Sequence, residues 1–231
     1  ASTHQPDRNG KSSAMLSTDQ VMQARAWHMT STDQNQKIHY EGHTVAWQGA
    51  NRVEADRLNI DRNQQIMEAH GHVKSQFVDK TKDAKPAAAP IFTVVTAPDL
   101  VYTEQTRIAE YSGGVVMKRP DLTVTANKIR SYLKDSNQDS SLDKVYADGT
   151  VKIVSASDKL KRTRTGTSAH AEYYADQDKV ILQGGDPLLV DSLRGQTRGK
   201  QLTWFSNDDR LIVDGADKQN PAKSIVRKVK K

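Results

Sequence analysis

The chain has 231 residues, enough for one large all-β domain or two small ones, and it has no cysteine, which excludes a disulfide framework and any thiolate metal site. Only 35% of its residues are apolar and 6% aromatic, low for a compact globule and suited to an elongated shape in which much of each strand faces water. The net charge of +6 leaves attraction to phosphate open, and no apolar run reaches the length of a membrane-spanning helix.

The chain begins at Ala rather than Met, from which we expect that an N-terminal piece, a signal peptide or an anchor, has been removed. Residues 1–20 are polar and expected to be disordered. "STDQVMQARAWHM" (Ser17 to Met29) carries what little helical content there is, and its second half already belongs to a repeat.

That repeat is clearest in "VEADRLNIDRNQQIMEAHGHV" (Val53 to Val73), which sets Ala55, an apolar residue at +3 (Leu58), another at +5 (Ile60) and a glycine at +16 (Gly71). Ala97, Leu100, Tyr102 and Gly113 fit the same spacing, and Gly199, Leu202, Trp204 and Gly215 fit with glycine in place of alanine. Ala169, Tyr174 and Gly185 fit with Glu172 at +3, and Ala26, Met29 and Gly42 fit with Ser31 at +5. Ala126, Ile129 and Gly149 fit once seven residues are inserted in the polar run "KDSNQDSS". Six copies start 29, 42, 29, 43 and 30 residues apart, an alternation that suggests three pairs.

Residues two apart point to one face of a strand, so Leu58 and Ile60 share a side. Polar bends, "DRNQQ", "TEQ", "ADQDK" and "SNDDR", stand where each copy must reverse, and the glycine marks a tight turn or bulge. Each copy therefore reads as a hairpin with one apolar face, which needs neighbours to bury it. "DKTKDAKPAAAP" (Asp79 to Pro90) reads as a loop or hinge between the first pair and the second, inside a domain spanning 21–218, followed by a basic tail over 219–231.

Two basic clusters stand out: Lys159, Lys161, Arg162 and Arg164, and the tail residues Lys223, Arg227, Lys228, Lys230 and Lys231. They read as a solvated loop and a frayed end, or as a phosphate-attracting surface. Neither interleaves aromatics that could stack bases, so no nucleic acid partner is expected. Signatures of a nucleophile elbow, a phosphate loop and a zinc protease are missing, so no enzyme and no cofactor are expected. His43 and His72 follow template glycines, and His39 and His70 precede them; they read as solvated turn residues or as a metal or pH-sensitive pair, and the expectation is no metal site.

The segments "YEGHTVAWQGANRVEADRLNID", "MEAHGHVKSQF", "AEYSGGVVMKRPDLTVTANKI" and "KVILQGGDPLLVD…RGKQLTWFSNDDRLIVDG" resemble the LptA/OstA-like lipopolysaccharide-transport domain over roughly residues 24 to 217. The resemblance implies an all-β, OstA-like β-jellyroll of two antiparallel sheets in an open V. It also implies a periplasmic protein, associated with the inner or outer membrane, that holds the lipid A acyl chains of lipopolysaccharide between its sheets. Partners would be the other β-jellyroll proteins of a bridge between the two membranes, met head to tail, with a head-to-tail homo-oligomer as one form. The Pro-Ala linker and the "KDSNQDSS" insertion depart from the family pattern and leave the register around 79–90 and 134–141 open. On this reading Leu58, Ile60, Leu100, Tyr102, Ile129, Tyr174, Leu202 and Trp204 line the groove. The alternative is a structural or adhesive β-repeat whose closed core those same residues would fill.

Overall fold

The computed structural model describes residues 22–48, 51–79, 91–120, 122–134, 142–157, 162–205, 209–215 and 221–226. The linker over 80–90, the insertion over 135–141, Lys159, Lys161 and most of both termini lie outside them. The rest is a run of antiparallel strands: β1 (Gln23–Arg25), β2 (His28–Thr32), β3 (Lys37–Gln48), β4 (Asn51–Asp61), β5 (Ile66–Asp79), β6 (Ile91–Thr103), β7 (Ile108–Arg119) and β8 (Leu122–Leu133). There follow β9 (Leu142–Ser157), β10 (Arg162–Tyr174), β11 (Lys179–Gln183), β12 (Leu188–Asp191), β13 (Gly195–Arg198), β14 (Gln201–Phe205), β15 (Leu211–Asp214) and β16 (Lys223–Val226).

Each long strand is interrupted once, near its middle, by a β-bulge, and the bulges line up from strand to strand. This line is a crease that folds the sheet into two limbs. Limb one runs β2-β3-β4-β5-β6-β7-β8-β9-β10-β11-β14-β15, and limb two runs β1-β3-β4-β5-β6-β7-β8-β9-β10-β12-β13-β16. The long strands from β3 to β10 serve both. The result is the all-β, two-layered jellyroll that the family resemblance implies, built from the hairpins that the repeat predicts.

The crease explains the repeat. Strands entering limb one place a single residue there: Asp56, Pro98, Asn127 or Ala169. Strands leaving it place two, Gly42-His43, Gly71-His72, Gly113-Gly114 and Gly149-Thr150, all with positive φ. A Cβ on Gly71 would fall 2.3 Å from Asp56 Oδ2, one on Gly113 2.7 Å from Pro98 Cγ, and one on Gly149 2.7 Å from Asn127 Nδ2. The +16 glycine is thus required twice over, by its left-handed backbone and by the side chain stacked on it. It does not end the second half of the hairpin, as a turn would; the strand bends there and runs on.

The fifth copy corrects the sequence register by one residue. The crease residue is Ala169, so the copy is Ser168, Ala171, Tyr173 and Gly184 rather than Ala169, Glu172, Tyr174 and Gly185. Across the linker the sheet is unbroken, since β5 and β6 stay in register up to the Asp79–Ile91 pair.

Candidate functional site

Strand alternation delivers one face of each limb to the interior, and the register joins these positions into rows. The row beside the crease in limb one runs Tyr40, Leu58, Ala69, Leu100, Tyr111, Ile129, Ala147, Ala171, Leu182 and Leu202, each opposite the next. The next row outward carries Ile38, Ile60, Met67, Tyr102, Ala109, Ser131, Val145, Tyr173, Val180 and Trp204. Limb two answers with Ala46, Val53, Ser75, Val95, Met117, Val124, Ile153, Gly166 and Leu189. Both limbs contribute to one hydrophobic cluster.

Seven of the eight residues expected to line a groove therefore sit together on the inner face of limb one: Leu58, Ile60, Leu100, Tyr102, Ile129, Leu202 and Trp204. Tyr174 does not. It shares the outer face with Glu172, to which its hydroxyl donates at 2.5 Å, and that bond raises its pKa; the inward tyrosine is Tyr173. The polar Glu172 at the +3 place was the signal, because sliding the copy by one residue puts Ala171 and Tyr173 at the apolar positions.

The two limbs are in contact. Leu58, Leu100 and Ile129 are 0% exposed, and Gly166 of limb two leaves room for Leu182 of limb one, whose Cδ1 lies 2.7 Å from where a Cβ would stand. Polar atoms are trapped in this interior. Thr44 Oγ1, Ser75 Oγ, Tyr111 OH and Trp204 Nε1 have no hydrogen-bond partner among the described residues. Burial drives the Tyr111 phenol well above its usual pKa, with the nearby Ser75 hydroxyl pulling weakly the other way. Burial likewise pushes Tyr173 up to about 12, against the opposing charge of Arg119.

The interior opens at the C-terminal end, where β14 and β15 of limb one part from β12, β13 and β16 of limb two. A cavity of about 340 Å³ lies there, walled by Leu189, Trp204 and Leu211, with Thr197 and Ser224 on the limb-two side. Its rim is an ion cluster. Arg162 Nε donates to Asp191 Oδ2 at 2.8 Å, and Arg162 Nη1 donates to Asp209 Oδ2 at 2.8 Å. Arg164 pairs with both carboxylates and lies over the Trp204 ring at 4.5 Å, while Arg194 Nη2 reaches Asp209 at 2.6 Å. Because Asp209 extends from limb one and Arg162 and Arg164 from limb two, the cluster straps the limbs together. Burial of Asp191 opposes its ionisation, but bonds from Arg162, from the Leu193 and Arg194 backbone amides and from Arg164 outweigh it, holding its pKa far below the usual carboxylate range.

These arginines correct the sequence expectation of a solvated loop. The Arg162 side chain is 7% exposed and lies at the start of a strand. Asp191 is 29 residues away, so no local pattern could pair them. The alternation "RTRT" was the available signal, since it puts Arg162 and Arg164 on one face of a strand.

With this geometry in place, the sequence profile of the LptA/(LptD N-terminal domain) LPS transport protein family matches residues 94–210, just over half of the chain. The chain belongs to this family. Membership in the LptA/LptD N-terminal family makes it a transport protein rather than an enzyme, and the matched span runs from β6 into the strap at Asp209. Among solved structures, it is similar to LptH of Pseudomonas aeruginosa, the LptA-homologous periplasmic component of that organism's lipopolysaccharide transport device. The TM-score is 0.51 at 12% identity, over 59% of this chain and 95% of LptH. No curated protein matches.

Around this LptA-like frame the outer face is polar. His70 pairs with Asp99 at 2.8 Å, His72 with Asp56 at 2.8 Å and His39 with Asn59 at 2.6 Å, while His43 packs edge-on against Trp27. The whole of β4 separates the strand of His43 from that of His72, so each ring takes its own partner. No group of three metal-ligating side chains occurs among the described residues. His170 and Arg130 both bond Asp148; burial works against the ionised carboxylate there, but these two bonds prevail and lower its pKa. The exposed large apolar side chains gather at the two ends of the sheet instead: Trp27 and Met29 at one, Val190, Leu193, Ile212 and Ile225 at the other.

Proposed function

We propose that this chain is a periplasmic lipopolysaccharide-binding protein that carries acyl chains between its two limbs and passes them along end-to-end contacts between jellyrolls of the inner-membrane, bridging and outer-membrane components. The observation that carries this reading is the row beside the crease, aliphatic or aromatic at every position from Tyr40 on β3 to Leu202 on β14, which leads to the cavity at the C-terminal end of the sheet. Each methylene taken from water into such a lining contributes roughly 0.8 kcal/mol. An acyl chain that parts the limbs replaces their mutual apolar contacts with its own, so admission exchanges one buried surface for another.

Photo-crosslinking with lipopolysaccharide tests it. A crosslinker at Leu58, Ile60, Leu100, Tyr102, Ile129, Leu202 or Trp204 is expected to capture the glycolipid, and one at the outward Tyr174 is not. Capture at Tyr174 with none at the inner positions would overturn the proposal. The filled interior favours one competing reading, a closed structural or adhesive β-repeat, and that reading predicts no capture anywhere.

The ends support the relay. Among the described residues, β1 and β2 leave an unpaired edge on each limb at the N-terminal end, β15 and β16 do so at the C-terminal end, and the exposed apolar residues stand beside them. A head-to-tail contact between such ends does not close on itself, so it grows into a row. Sedimentation is expected to show mass rising with concentration; a strict monomer at high concentration counts against end-to-end association.

A further inference from the structure

We infer that Arg162, Arg164 and Arg194 form a seat for the phosphate monoester of an amphiphile, and that Asp209 occupies this seat in the unliganded chain. The inference rests on the proposal that amphiphiles lie between the limbs and specifies the headgroup taken at the C-terminal mouth.

The two carboxylates of the cluster differ in kind. Asp191 is built in: it accepts from the Leu193 and Arg194 backbone amides at 3.0 and 3.1 Å and from Arg162 and Arg164, and its side chain is 9% exposed. Asp209 is held by the arginine side chains, its side chain is 35% exposed, and its backbone carries a strained φ of 58°. One carboxylate thus draws three guanidinium groups from a position it can leave.

Charge decides which anion fits better. Three arginines against Asp191 and Asp209 leave one positive charge uncompensated. With Asp209 displaced, the three arginines and Asp191 leave two, which a phosphate monoester of roughly −1.5 to −2 at neutral pH balances and a carboxylate does not. Forked guanidinium groups match phosphate oxygens in geometry as well as in charge. Beside the seat lies the cavity of about 340 Å³ with Leu189, Leu211 and the Trp204 ring on its walls, enough to take the first methylenes of a chain attached to the phosphate. Trp204 is 7% exposed and lines this cavity, and the Arg164 guanidinium lies over its ring at 4.5 Å, so the apolar wall and the charged seat adjoin.

The test is calorimetric titration of the full chain with dodecyl phosphate, with dodecyl maltoside as a neutral amphiphile and inorganic phosphate as the headgroup alone. Asp209→Asn empties the seat of its own charge and is expected to tighten dodecyl phosphate binding roughly tenfold, about 1.4 kcal/mol. Arg194→Gln, at a position 60% exposed and safe for folding, is expected to weaken it by a similar factor. Neither change should move the affinity for dodecyl maltoside, and Asp61→Asn at the opposite end should leave all three titrations unchanged. An unaltered dodecyl phosphate affinity in Asp209→Asn overturns the inference, as does a parallel shift for dodecyl maltoside. Inorganic phosphate binding as tightly as dodecyl phosphate overturns the assignment to an amphiphile. If dodecyl maltoside binds and lipopolysaccharide crosslinks inside the limbs while Asp209→Asn has no effect, the seat alone fails. If neither amphiphile binds, the underlying functional reading fails with it.

Discussion

Replacing Arg162 by methionine is expected to lower the unfolding free energy by about 3–5 kcal/mol, because it leaves the Asp191 carboxylate buried without its main counter-ion. For a chain of this size that corresponds to a fall in Tm on the order of 10 °C. The double variant R162M/D191N is expected to recover much of the loss, since asparagine still accepts from the Leu193 and Arg194 amides but carries no charge. Thermal unfolding of the two variants beside the parent checks this; a double variant no more stable than R162M would show that packing, not the orphaned charge, sets the effect. The pH dependence has a definite sign. Asp191 is ionised more readily folded than unfolded, so its contribution is fully present above the unfolded carboxylate value, about 3.9. It is lost as pH falls through that value towards the lower folded one. The parent should therefore lose stability steeply in acid below about pH 4, and D191N should show a shallower acid limb.

The crease gives the second large effect. Gly113 and Gly114 both have positive φ, +90 and +95, but a Cβ on Gly113 would strike the Pro98 ring while one on Gly114 meets nothing within 4 Å. G114A is expected to cost only the backbone term, about 1–2 kcal/mol. G113A carries that term and overpacking against a rigid ring, a further 1–3 kcal/mol or so. Urea unfolding of the pair measures the difference directly. Equal losses would mean that the Pro98 stack yields freely and that the crease is softer than its aligned bulges indicate.

Much of this architecture is visible in the residues. The spacing of Leu58 and Ile60, or of Leu100 and Tyr102, fixes which face turns inward because the strand period is two, and a one-residue error reverses it. That sensitivity is why the fifth copy slipped: Ala169 and Gly185 also lie at the crease, so they satisfied the template while Tyr174 was turned outward. The bend residues of the first hairpins were legible for a similar reason, since Asn, Asp and Gln in "DRNQQ" and "TEQ" act within a few positions of themselves.

The basic cluster was not legible. Read along the chain, Lys159 to Arg164 is a run of charge; in the fold its last two members are strand residues turned inward onto Asp191 and Asp209. Nor could the sequence place the contact between the limbs, where Leu182 of limb one lies against Gly166 of limb two, or the cavity of about 340 Å³ at the C-terminal end.

What the sequence determined by itself was the hairpin unit, its repetition, the glycine at each bend and the oily face of each strand. All of these depend on backbone and side-chain geometry over a few neighbouring residues. Only the tertiary structure decided that the bulges align into one crease, that the limbs close upon each other, and that arginines and aspartates from both limbs meet at the open end. Those features join side chains 29 and 47 positions apart, and nothing in the local chemistry of either partner specifies where the other will arrive.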